Sequence, residues 1–257
     1  MSARSLQVGF SQRVQLPWLE RTAVLQMAGL PKEGIEAALQ ELLRSMVSVG
    51  GQATRGNREK VITILMRTWV TIPGELESFR DEGLSHVAHT PQDQHMAVHW
   101  GMVMTIYPFW GMVAETVGRL LRLQRTAAAT QVQRRLREQL GERETVARAA
   151  RRVLRTFVDW GVLAETHEKG VYTAATPRPL ANQDLAVWLL EAALRAADTT
   201  AVSLKAAGQT PALFPFAVMP LTVRAFAGHP RLDVTRQGGT EDLLVLRYMR
   251  IPNPVAP

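Results

Sequence analysis

Eleven arginines fall within one short stretch of this chain: Arg119, Arg122, Arg125, Arg134, Arg135, Arg137, Arg143, Arg148, Arg151, Arg152 and Arg155. Glu138, Glu142 and Glu144 are the acids among them, and eleven cations less three anions give the stretch +8, where the whole chain of 257 residues carries +7. The positive charge is therefore one module, not a diffuse property of the chain. A fixed block of guanidinium groups attracts a polyanion and releases its condensed counterions. Each group can clamp a phosphate or pair in a bidentate way with the edge of a guanine. Nucleic acid is the first partner this chemistry points to.

The arginines are not scattered around their helix. At 100° per residue, Arg148, Arg151, Arg152 and Arg155 span roughly 100° of the helix Glu142–Trp160. Val146, Ala150, Val153 and Phe157 lie opposite. One face is made for a core and the other projects four cations. Glu144 is spaced to reach Arg148, and Asp159 to reach Arg155. Without interleaved Asn or Gln the row predicts phosphate contact more than base reading. Arg134, Arg135 and Arg137 on the preceding helix, Arg143 at the start of this one, and His167 and Lys169 in the following hairpin complete the candidate nucleic-acid-binding set. The competing reading is a solvated helix face in an arginine-rich chain.

A second group of residues has metal-ligand types. His86, His89, His95 and His99 follow the pattern H-x2-H-x5-H-x3-H. His95 and His99 can share a helix face, as zinc or nickel would need. Met96, Ala97 and Val98 separate them where a zincin carries a glutamate, the chain has no cysteine, and His86 and His89 fall in an expected loop. Surface or capping histidines, and no metal or other cofactor, are the expectation. No glycine-rich phosphate loop, G-x-S-x-G turn or apolar pair of carboxylates is present, so no catalytic residue is assigned and the expected function is not enzymatic.

The elements that must position these groups are mostly helical. The spacing predicts helices at Leu16–Ala28, Lys32–Val47 with Met46 inward, and Arg58–Thr71, a loop at Val49–Asn57, a short helix at Glu75–Asp81 and then the histidine-rich loop. Gln92–Leu123 is long helical material broken at Tyr107-Pro108. Its stretch Met96–Ala114 holds no Asp, Glu, Lys or Arg in nineteen residues. His99, Gly101, Pro108 and Gly111 argue for a buried helix there, not a membrane span. Helices then follow at Thr130–Leu140, ending at Gly141, and Glu142–Trp160, ending at Gly161. Val162–Ala175 reads as a β-hairpin turning at His167–Gly170.

Helix, turn, helix, hairpin is the winged-helix order. After a joint at Pro177–Pro179, a helix is expected over Asn182–Ala207. Two strands, Arg231–Arg236 and Leu243–Arg250, are expected around Gln237–Thr240. The fold class is mainly α: a helical domain over 1–124, a winged-helix module over 125–176 and a small α+β region over 177–257. The absence of cysteine and of an N-terminal apolar signal core suits the cytoplasm.

Three stretches resemble a known family: Ala53–Arg58 leading into Val61–Leu84, His99–Leu121, and the arginine-rich helix running into Phe157–Leu163. They resemble the BrxA-type small component of bacteriophage-exclusion (BREX) defence systems. The resemblance covers roughly residues 50–175 and rests on apolar and charged patterning, not on a catalytic signature. It implies an antitermination-factor-like helical bundle with a winged-helix portion, nucleic-acid binding, and work alongside other defence proteins. The expected function is non-catalytic binding of double-stranded DNA in an anti-phage assembly, with RNA left open. The alternatives are a scaffold whose basic face docks an acidic protein, and a winged-helix transcriptional regulator.

Overall fold

The charge-free stretch becomes the centre of the molecule. In the computed structural model, which describes residues 8–48, 56–237 and 241–247, it forms α5 (His95–Ile106) and the start of α6 (Pro108–Gln124). From Met96 to Thr105 every residue of α5 is buried. A helix enclosed on all sides has no solvent face to carry charge, which is why this segment mimics a membrane span in sequence. No helix among the described residues is long and apolar enough to cross a membrane. The break falls where expected: Pro108 opens α6, and Tyr107 between the helices leaves the helical region.

Ten α-helices and eight short strands occupy the described residues, and the fold is mainly α with a small α+β region. α1 (Leu16–Met27), α2 (Lys32–Leu43), α3 (Asn57–Trp69) and α4 (Glu77–His89) join α5 and α6 in one apolar core. Two expectations are corrected here. α2 stops at Leu43, so Met46 is 60% exposed and not inward. His86 and His89 lie on α4, not in a loop. Glycine and serine weaken α4 locally, but Phe79, Gly83, His86 and Val87 bury one face of it, and packing outweighs propensity.

The winged-helix order is completed by two elements. α6 leads into β1 (Thr126–Ala128), then come α7 (Ala129–Leu140), α8 (Glu144–Asp159), β2 (Leu163–Glu165) and β3 (Val171–Ala174). The sheet runs β1-β3-β2, antiparallel, with Thr126 opposite Thr173 and Leu163 opposite Ala174.

Beyond it, β4 (Arg178–Pro179) pairs in parallel with β6 (Phe216–Ala217), where a bare joint was expected. α9 (Gln183–Ala196) is capped by the Asn182 side chain, which accepts from the amides of Asp184 and Leu185 at 2.8 and 3.1 Å. The helix expected to run to Ala207 stops at Ala196. Asp198 takes a left-handed backbone (φ 51°) and the chain turns into β5 (Ala201–Ser203) and the short α10 (Leu204–Ala207). Asp-Thr-Thr is poor helix material, and its residues serve the turn instead. β7 (Leu232–Gln237) and β8 (Glu241–Leu246) form with β5 a sheet ordered β5-β8-β7. Most of the loop read at Val49–Asn57, the start of the resemblance at Ala53–Arg55, the turn Gly238–Thr240 and Tyr248–Arg250 lie outside the described residues.

Trp188 of α9 shows how closely the layers meet. It stacks on Phe79 at 4.5 Å and donates its indole N–H to the Phe79 carbonyl at 3.0 Å. A Cβ on Gly101 would lie 2.4 Å from its ring, so α5 can approach only because that position is bare.

Candidate nucleic-acid interface

The turn between α7 and α8 is set by Gly141, whose φ of 88° suits glycine, and whose amide closes α7 on the Arg137 carbonyl at 2.8 Å. Val132 and Leu136 of α7 face inward, as do Val146, Ala149, Ala150, Val153, Leu154 and Phe157 of α8. The back of α8 is anchored in aromatic packing: Phe157 stacks on Trp100 at 4.8 Å and meets Trp110 edge-on at 4.8 Å. At its end the Trp160 indole donates to the Val14 carbonyl at 2.8 Å. The N-terminal segment therefore straps the helix in place.

With the back fixed, the front is presented to solvent. Arg148, Arg151 and Arg152 are exposed and Arg155 is half-buried. Arg148 pairs with Glu144 at 2.8 Å, as its spacing requires. The pairing expected between Asp159 and Arg155 does not form. Asp159 is taken by Arg13, whose guanidinium grips both carboxylate oxygens at 2.8 and 2.5 Å. Arg155 instead meets Glu165 of β2 at 2.5 Å. A bidentate partner arriving from the strap outcompetes a neighbour on the same helix. Arg151 and Arg152 have no ion pair or side-chain hydrogen bond among the described residues.

The remaining candidates surround this pair. On α7, Arg134 is exposed and 3.7 Å from Glu138, Arg137 is half-buried and 3.2 Å from Glu142, and Arg135 is half-buried with its Nε unpartnered. Arg143 donates to the Leu140 carbonyl at 3.0 Å. In the wing between β2 and β3, His167 and Lys169 are exposed, and neither side chain has a partner among the described residues. The wing is held to the start of α7 by a hydrogen bond from the Ala129 amide to the Gly170 carbonyl at 2.8 Å. Arg125 was counted in the charge but not among the candidates. It is exposed at the head of β1 with a φ of 64° and no side-chain partner among the described residues. Its place in the run of arginines was the signal available for it.

The surface-or-cap expectation fits His89, which is exposed, and is corrected for His86 and His99, which are buried. His99 is fully buried and its Nε2 lies 2.7 Å from Glu20 of α1. The same carboxylate is 3.0 Å from Nδ1 of His95, whose Nε2 faces the Thr90 carbonyl at 3.0 Å. Burial holds His99 below the usual histidine range despite the carboxylate beside it. The hydrogen bond from His99 pulls Glu20 below the usual carboxylate range against its own burial. His86 is also buried and depressed by burial, and His89 donates to the Ser85 carbonyl at 2.8 Å. Among the described residues no group of three or more His, Asp or Glu side chains is placed to hold a metal ion. Beside Glu20 and His95 an open groove of about 310 Å³ is lined by Leu16, Pro17, Arg21, Val24 and Gln92.

No protein-family model matches the chain, and neither curated proteins nor solved structures give a match.

Proposed function

We propose that this protein binds double-stranded DNA without catalysing a reaction on it, laying the outer face of α8 against the duplex with the wing at its flank. The observation that carries the reading is the pair Arg151 and Arg152. Two adjacent guanidinium groups, unneutralised within the described chain, stand on a helix whose opposite face is locked into an aromatic core. Such a pair keeps its full attraction for phosphate, and a rigid support minimises the ordering cost of contact. The lack of Asn or Gln on that face favours backbone contact and tolerance of sequence. By its resemblance to the BrxA-type component, the protein is proposed to act in the cytoplasm within an anti-phage defence assembly, alongside other defence proteins.

A scaffold that docks an acidic partner is the second reading. One observation favours it: carboxylates already sit on Arg148 and Arg155, so this face accepts acid side chains. Binding to duplexes of unrelated sequence, DNA and RNA, over a salt series separates the readings. DNA binding predicts a straight log–log salt dependence common to all DNA sequences, and a loss when Lys169 in the wing is changed to Glu. Indifference to K169E together with no measurable duplex affinity at low salt supports the scaffold, and tighter binding to RNA moves the substrate class.

A further inference from the structure

Four arginines share the outer face of α8, but they are not equivalent. Among the described residues Arg151 and Arg152 have no ion pair, while Arg148 and Arg155 are each held by a carboxylate of the same module. Glu144 holds Arg148 at 2.8 Å from the preceding turn, and Glu165 holds Arg155 at 2.5 Å from β2. All four of these side chains are more than 40% exposed, so both pairs are open to water and exchangeable. Arg155 pairs with β2 while the acid nearer in sequence, Asp159, is gripped by Arg13. A carboxylate offers a guanidinium the same two-oxygen edge that a phosphate offers.

We propose that Glu144 and Glu165 are built-in competitors for DNA phosphate: they pair with Arg148 and Arg155 in the free protein and are displaced when a phosphate takes those arginines. This rests on the DNA-binding reading and makes a claim that reading does not. A free arginine that meets phosphate displaces a condensed cation from the DNA and adds to the salt dependence. An arginine that must leave a carboxylate displaces the same cation but uncovers an acid that recruits one in return. Its net contribution to the salt slope is close to zero. The slope of the native protein therefore counts Arg151 and Arg152 but not Arg148 and Arg155. The two acids also lower affinity for surfaces that cannot supply phosphate at both held positions. Glu144 and Glu165 thus help to set specificity on the proposed interface.

The test uses the full chain and a duplex of arbitrary sequence. Glu165→Gln and Glu144→Gln keep the shape of the acids but remove their charge. Each should tighten binding about two- to fivefold, the range expected for breaking a weak exposed ion pair. Each should also steepen the salt slope by about 0.9, one further cation released. Glu168→Gln is the comparator, because Glu168 lies exposed in the wing without an ion-pair partner among the described residues. It removes the same charge near the DNA without freeing an arginine, and should move the slope by less than half as much. An E165Q slope no steeper than that of E168Q overturns the proposal. So does weaker binding by E165Q at an unchanged melting temperature, which would make Glu165 a positioning residue for the wing. If native protein shows no salt-dependent binding to duplex DNA, the underlying reading fails. If it binds and only the E165Q and E144Q slopes stay flat, this inference alone fails.

Discussion

At the scale of single residues, the most consequential side chains outside the arginine face are Glu20 and His99. Burial holds His99 below the usual histidine range in the folded protein, and its Nε2–H donates to Glu20. The unfolded chain takes up a proton there below about pH 6.5, so stability falls as pH drops past that point. Glu20 acts in the same direction lower down. Its folded value is depressed, so its contribution is present above the ordinary carboxylate range and is lost as pH falls through the folded value. The melting temperature should therefore decline steadily from pH 7 to pH 4. In His99→Gln the decline between pH 7 and 5 should be shallower but not absent, because His86 and His229 are also depressed by burial. An unchanged profile would show that His99 is not the titrating group. Glu20→Ala leaves the buried His99 donor without an acceptor and should cost about 1.5–3 kcal/mol in urea unfolding at pH 7. The spacing of His95 and His99 was legible in the sequence. Their shared acid was not, because Glu20 comes from a helix 75 residues away and no local pattern announces it.

At the scale of elements, helix ends were the most legible feature. Gly141 and Gly161 both take positive φ, at 88° and 64°, where their positions predicted stops. The apolar stripe of α8 was equally plain, since Val146, Ala150, Val153 and Phe157 are all buried. β1 was invisible. Thr126-Ala127-Ala128 has neither alternation nor strand-forming bulk, and it is a strand because β3 offers it an edge to pair with. β4 and β6 escaped for the same reason, as pairs of two residues each. The end of α9 was missed because Leu204 kept the helical rhythm after Asp198 had already broken the helix. The approach of α5 to α9 yields a sharp expectation. Gly101→Ala places a methyl group against the Trp188 ring and should destabilise by about 1–3 kcal/mol in chemical denaturation, through overpacking in the middle of two helices. A loss below 0.5 kcal/mol would mean that Trp188 shifts freely.

At the scale of the whole molecule, two anchors hold the regions together. Phe157 and Trp160 enter the aromatic core of Trp100, Trp110 and Phe10, and so join α8 to α5, α6 and the N-terminal strap. Arg231 joins the C-terminal sheet to α9 and α4. It forks onto the fully buried Glu191 at 2.8 and 3.0 Å and also binds Glu82, above the face of Phe79. Glu191→Ala would leave the buried Arg231 guanidinium with Glu82 as its remaining carboxylate and should cost about 1–3 kcal/mol. Residues 125–176 made alone would expose the Phe157 face and lack α6, and should show no cooperative thermal transition. A sharp transition in that fragment would establish the module as self-sufficient. The same anchoring makes α8 a rigid platform, so exposed arginines can be removed from it without unfolding. The central claim is that Arg151 and Arg152 meet phosphate, and the most direct measurement is the salt slope of duplex DNA binding for Arg151→Ala/Arg152→Ala against the native chain. Two lost contacts should flatten the slope by about 1.8 and weaken every DNA sequence alike. A folded double variant with an unchanged slope, or with a loss confined to one sequence, would contradict it.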